Sequence, residues 1–236
     1  MNIYENDGVL SVAQAVPDAR AAFIRRTYAH LAGAVAAFVG LEALLLNSPV
    51  APAMLKFISG NQYGWLLFLG AFIVAGWAGR SLASNAASTG AQYAGLAGYV
   101  TAEAFIFVPL LYVAVHFSSP DVLPSAAILT GTLFLGLTIV AFATRRDFSF
   151  LHGILSVGGM VALGAIVCGV IFGFGLGLWF SVAIVGLACA AILHDTSKVI
   201  HKFRPDQHVA ASLELFASVA LLFWYVLSIL MRLSRK

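Results

Sequence analysis

Charge is what this sequence has least of. Only 10% of its 236 residues are Asp, Glu, Lys or Arg, while 61% are hydrophobic, against about 25% and roughly 45–50% in ordinary soluble domains. So few charges cannot cover a soluble surface, and no soluble core needs that much apolar area. No amino-terminal leader is expected: residues 1–19 are mixed and polar, with Glu5, Asp7 and Asp18, and nothing there resembles an apolar stretch before a cleavage site. The first long hydrophobic run is therefore expected to remain as an uncleaved anchor. Cysteine is scarce. Cys168 and Cys189 lie in apolar runs without a C-x-x-C spacing, which points to buried thiols rather than a disulfide or a metal site.

Motifs for soluble chemistry are absent as well. The histidines repeat no ligand spacing such as H-E-x-x-H, so no tightly bound metal is expected. There is no phosphate-binding G-x-x-x-x-G-K-[ST] and no G-x-S-x-G. Gly173, Gly175 and Gly177 lie in an apolar hairpin with no strand before them, so they do not form a dinucleotide loop. No catalytic residue and no cofactor follow from the sequence, and nucleic-acid binding has no support. An enzyme working inside the membrane would need a Ser/His, paired-Asp or metal arrangement at matched depth, and none is legible.

What the chain does have is long apolar runs. A helix needs ~20 such residues to cross a bilayer. The runs are Tyr28–Leu46, Gly64–Gly79, Gly90–Phe117, Pro124–Thr144 and Val209–Met231, with a Pro-containing stretch at Asn47–Tyr63. Phe150 to Leu193 carries no Lys, Arg, Asp or Glu. It is about twice as long as one span, so it must fold back, and Phe172–Gly177 offers the glycines for that turn. Gly169, Gly173 and Gly177 also recur at i+4 and offer close-packing faces. Backbone groups in lipid must bond internally, which makes the expected fold class an all-α integral membrane protein, a seven-transmembrane-helix bundle that meets the lipid bilayer on all sides. The expected layout is a polar cytoplasmic segment at 1–27, the membrane domain at 28–231 and a short basic tail at 232–236.

Positive charge sets orientation. Arg20, Arg25, Arg26, Arg80, Arg145, Arg146, Lys198, Lys202 and Arg204 fall on the amino-terminal side of seven spans, and Lys56, Arg232, Arg235 and Lys236 on the other. The excess predicts a cytoplasmic N-terminus. The basic tail conflicts with the rule and calls for either an outside C-terminus in spite of it or a last segment that re-enters, and the outside tail is the favoured expectation.

Ionisable residues within spans are costly and mark candidate sites. Glu103 stands about midway along the third span, Asp195 ends the sixth, and Glu214 lies about a turn and a half into the seventh. Glu42, near the outer end of the first, is expected to reach the interface. Topology puts Asp195, Glu214 and Arg80 at similar depth. Two carboxylates brought together there repel unless a proton or an arginine intervenes, which would make a protonation-dependent latch. His194, beside Asp195, would tune it. Glu103 would be an ion-pathway carboxylate, with Pro109 bending the helix and freeing a carbonyl nearby.

Two short motifs carry a family resemblance. Ala143-Thr-Arg-Arg-Asp-Phe-Ser-Phe-Leu151 resembles the loop between the fourth and fifth spans of the Bax inhibitor-1 family, in its bacterial YccA-like branch. Ile192-Leu-His-Asp-Thr-Ser-Lys-Val-Ile200 resembles the Asp-containing motif of that family's sixth helix, and Ser228-Ile-Leu230 in the last span is similar too. The resemblance covers approximately residues 20–232. It implies seven helices with a mostly apolar one at the centre, and a pair of acids acting as a pH-sensitive latch in a calcium leak. Asp195 matches the first acid, and Arg80 is placed like the arginine that closes the latch in some members. The second acid's place falls on Ser218, while Glu214 is one turn away on the same face and could substitute. The expected function is thus a pH-sensitive cation leak, with calcium in transit rather than in storage. The alternative is a non-conducting interaction protein that regulates a membrane-bound AAA protease or another membrane partner through its N-terminal tail and the 195–208 loop. A bacterial inner membrane is the expected location.

Overall fold

The computed structural model describes residues 11–60, 63–84, 88–144 and 146–234. They fold into α1 (Pro17–Leu46), α2 (Val50–Gly60), α3 (Gly64–Ala83), α4 (Thr89–Phe117), α5 (Val122–Thr144), α6 (Leu151–Phe172), α7 (Gly177–His201) and α8 (His208–Ser234). Seven of these are long and apolar enough to cross a membrane; α2 is the shorter exception. Among the described residues there is no strand, and the protein is an all-α membrane bundle.

The ends of the helices follow local chemistry. Pro17 opens α1, where a missing N–H costs nothing. Ser88 caps α4 by accepting from the Ala91 N–H at 3.2 Å. Gly173 ends α6 at φ 73°, and Gly177 starts α7 at φ 74°, so the fold-back falls at the expected glycines. Those two glycines serve the turn and not a packing face: a Cβ at either would meet nothing within 4 Å. Of the i+4 set only Gly169 is packed, against the Phe174 carbonyl and Leu176.

Three boundaries differ from the sequence reading. α1 begins at Pro17, and Phe23, in the stretch read as a polar segment, is 1% exposed. Ahead of it, Val12 is fully buried and its N–H donates to the Phe203 carbonyl at 2.8 Å, fastening the N-terminal segment to the α7–α8 loop. The stretch after α1 coils into α2. α7 continues to His201, so Asp195 stands within the helix instead of ending it. Helix propagation adds a bond per residue once begun, and polarity alone does not stop it.

α8 is the axis of the bundle, packing against α1, α3, α4, α5 and α7. It and α4 are the most deeply buried spans. Aromatic rings join the helices: Phe107 of α4 meets Phe38 of α1 at 5.1 Å and Trp224 of α8 at 4.9 Å, and Trp224 reaches Trp65 at the start of α3 at 5.8 Å. α4 runs unbroken through Pro109, which has no N–H to offer the carbonyl four residues back. α6 is peripheral and packs chiefly on α7. Cys168 is accordingly exposed on the outside of α6 and not buried; both cysteines are free.

Candidate functional site

α7 and α8 run antiparallel through a short loop, so positions rising along one meet positions falling along the other. This brings Asp195 to Ser218 and, one turn further on, Lys198 to Glu214. The Ser218 hydroxyl donates to Asp195 Oδ2 at 2.5 Å, while His194 Nδ1 lies 3.1 Å from Asp195 Oδ1. Lys198 Nζ donates to Glu214 Oε2 at 2.5 Å. Both links are largely shielded, with the Lys198 and Glu214 side chains 27% and 26% exposed. His194 also stacks on His152 of α6 at 5.8 Å between ring centroids. The result is a two-rung clasp holding α7 to the central helix.

The structure therefore divides the three residues expected to converge. Asp195 and Glu214 share the α7–α8 seam but take different partners, and Arg80 lies on the α3–α4 seam. There its guanidinium carbon is 5.9 Å from the centre of the Tyr99 ring. The Tyr99 hydroxyl in turn donates to Glu103 Oε1 at 2.8 Å. Glu103 is 3% exposed in the middle of α4. Ser218 is the residue that faces Asp195 across the α7–α8 seam. Lys198, counted from the sequence only among the basic residues that set orientation, is a helical residue of α7 paired with Glu214. Its spacing gave the signal: it follows Asp195 by three residues, as Glu214 precedes Ser218 by four, and both steps keep to one helix face.

Glu42 departs furthest from expectation. Instead of reaching the interface it is 4% exposed, on the inward stripe of α1 that includes Thr27, Leu31, Ala34 and Phe38. Neither carboxyl oxygen has a hydrogen-bond partner among the described residues. Phe38, one turn before it, packs on Phe107 and on Phe216 of α8, which fixes that stripe against the core. Among the described residues, no three His, Cys, Asp or Glu side chains gather as a metal site would need.

The loop after α5 abuts this region. Ser197 of α7 accepts from the Phe148 N–H at 3.0 Å and donates to the Arg146 carbonyl at 3.3 Å. Within the loop, the Ser149 hydroxyl and N–H both donate to Asp147 and hold its carboxyl below the usual carboxylate range. The two stretches that first suggested a family are thus in contact: one supplies the loop and the other the helix face on which it rests.

A seven-span helical bundle with acids buried along its central helices defines a class of integral membrane protein. Residues 20–235 match the family described as Inhibitor of apoptosis-promoting Bax1, and the chain belongs to that family, the Bax inhibitor-1 family. Among its relatives are the uncharacterized protein PA2604 of Pseudomonas aeruginosa, 36% identical over 46% of this chain and 49% of that one, and the Golgi anti-apoptotic protein of vaccinia virus strain Lister, 29% identical over 57% and 56%. Mouse protein lifeguard 4 is 28% identical over 47% of each chain. The chain spans about half the length of the curated relatives it matches.

The clasp makes a stability prediction. Lys198→Met leaves the shielded Glu214 carboxylate without its cation and is expected to cost about 1–3 kcal/mol, below the range for fully buried pairs because a quarter of each side chain is exposed. Lys198→Met combined with Glu214→Leu should recover most of that loss, as read by chemical unfolding in detergent micelles. Equal destabilisation by the single and double variants would show that the pair does not act as a unit.

Proposed function

We propose that the protein is a passive, proton-sensitive cation leak, with calcium the leading ion, and that the α7–α8 clasp is its gate. The observation that carries this reading is the single carboxyl of Asp195 tied across the seam by Ser218. An ionised carboxylate accepts that hydroxyl in a charge-assisted bond, and protonation replaces it with a weaker neutral one. Acidification then loosens α7 from α8, and cations pass by way of Glu103 and Glu42. The groups facing Asp195 are His194, Ser218, the Lys198–Glu214 pair one turn along, and His152 behind His194. Ser218 carries no carboxyl, so this rung of the clasp holds one acid instead of a facing pair. In this reading the arginine-bearing end faces the cytoplasm of a bacterial inner membrane.

The test is calcium flux into proteoliposomes between pH 6 and 8. Wild-type flux should rise as pH falls. Asp195→Asn should raise flux at pH 8 toward the wild-type value at pH 6 and flatten the dependence, whereas Ser218→Asp, which creates an acid pair, should steepen it. A pH response unchanged by either substitution removes the gate from Asp195 and directs attention to Glu103. No flux above empty liposomes, from folded protein, favours a second reading. In that one the fastened N-terminal segment and α7–α8 loop, joined through Val12 and Phe203, form a docking surface for a membrane-bound AAA protease or other partner. Deleting residues 1–19 would then abolish function while Glu103→Gln leaves it intact.

A further inference from the structure

We propose that the groove between α1 and α4 is a binding site for one anionic phospholipid, with an acyl chain along the groove and the phosphate at its arginine-bearing mouth. The groove has a volume of about 490 Å³, within the roughly 300–1,000 Å³ range of small-molecule sites. Its walls are Ala29, Gly33 and Ala37 on α1 and Tyr93, Ala97 and Thr101 on α4. All six are exposed on the outer surface of the bundle, where hydrocarbon is the solvent. The α1 wall is low because its residues are small, and a Cβ at Gly33 would meet nothing within 4 Å. Thr101 turns its hydroxyl back to the Ala97 carbonyl at 2.8 Å, so the α4 wall presents no unpaired donor there.

The mouth differs in chemistry from the groove. Arg25 continues the Ala29–Gly33–Ala37 stripe by one turn, and Arg26 stands one turn before His30, which also lines the groove. Side chains on a helix lean toward its N-terminus, which carries both guanidinium groups outward to headgroup depth. Both arginines are exposed, and neither is in an ion pair among the described residues. On the other wall, α4 begins at Thr89, one turn before Tyr93, so its positive helix end faces the same mouth. His30 bridges the two walls. Its Nδ1–H donates to the Arg26 carbonyl at 2.7 Å, and its Nε2 is hydrogen-bonded with the Tyr93 hydroxyl at 2.8 Å. An apolar slot ending in two arginines and a helix N-terminus complements a lipid with a negative headgroup. A second copy of the chain fits less well, because two copies in one membrane would bring like-charged mouths together at the same depth.

The test is native mass spectrometry of the full chain in detergent, titrated with phosphatidylglycerol or with phosphatidylcholine of identical chains. The expected result is preferential retention of phosphatidylglycerol. Arg25→Gln with Arg26→Gln should reduce that preference by roughly fivefold per arginine, at about 1 kcal/mol each, without abolishing uptake. Gly33→Leu should reduce retention of both lipids, and Ala97→Leu serves the same purpose if that variant does not fold. Equal retention of the two lipids, or a preference that survives the loss of both arginines, would overturn the proposal. So would Gly33→Leu converting a dimer to a monomer with lipid retention unchanged, since the groove would then be a contact between copies.

Discussion

Gly95→Ala is expected to force α3 away from α4 and to lower stability by about 1–3 kcal/mol, the range for overpacking a tight contact. A Cβ at Gly95 would lie 2.6 Å from the Ala83 nitrogen and 2.7 Å from the Gly79 carbonyl oxygen. Those atoms are donor and acceptor of one i to i−4 hydrogen bond of α3, so no flexible side chain can yield. The reciprocal contact is also tight, since a Cβ at Gly79 would come within 3.0 Å of Tyr99 Cβ and 3.3 Å of the Gly95 carbonyl oxygen. Tyr99 therefore lies on a floor of glycine, and that floor sets where its hydroxyl meets Glu103. Gly98→Ala is the control. It is three residues away on the same helix and faces open space, so the better helix propensity of alanine should leave stability unchanged or raise it by up to about 1 kcal/mol. Thermal unfolding of the two variants in matched micelles separates steric from propensity effects. Equal behaviour of Gly95→Ala and Gly98→Ala would mean that α3 slides freely on α4. A loss confined to Gly95→Ala should also alter the Tyr99–Glu103 bond, visible as a change in tyrosine ultraviolet absorbance.

The same contact shows what a sequence of this type can and cannot disclose. The spans were legible because exclusion of charge over ~20 residues is a property of composition and needs no knowledge of neighbours. The α6–α7 fold-back was legible for a similar reason: forty-odd apolar residues exceed one bilayer thickness, and Gly173 and Gly177 provide the left-handed conformations a tight turn uses. Packing partners were not legible. The regular Gly169, Gly173 and Gly177 spacing looked like a helix–helix face, yet the close approach belongs to Gly79 and Gly95, which lie on different helices and form no linear motif. Similarly, Asp195, Glu214 and Arg80 share a depth, but depth does not determine which seam each occupies. The α7–α8 pairings follow from antiparallel register once α7 is known to continue past Asp195, and the polar look of residues 195–208 obscured that continuation.

Glu42→Leu is expected to stabilise the fold by about 1–3 kcal/mol, the cost of leaving a buried polar group unsatisfied, and at the same time to reduce cation flux. The carboxyl is 4% exposed with neither oxygen hydrogen-bonded among the described residues, and the positions before it on the α1 stripe are Ala34 and Phe38. Leucine suits that surface and removes two oxygens that nothing there satisfies. Residues that lower stability without a packing benefit concentrate where function demands them, and Glu42 extends the series of interior acids beyond the aromatic layer, on the far side from Asp195. In the leak reading it gives the ion an oxygen ligand in a stretch otherwise lined by aromatic and aliphatic groups, where a hard cation has few alternatives. Glu42→Gln distinguishes the contributions: it keeps a carbonyl oxygen and removes the charge, so flux should fall while stability changes less than with leucine. Unfolding and flux measured on the same preparations decide the matter. A leucine variant that is more stable but conducts like wild type would make Glu42 a structural burden with no part in conduction. One that is less stable would mean that the carboxyl finds a partner within the bilayer.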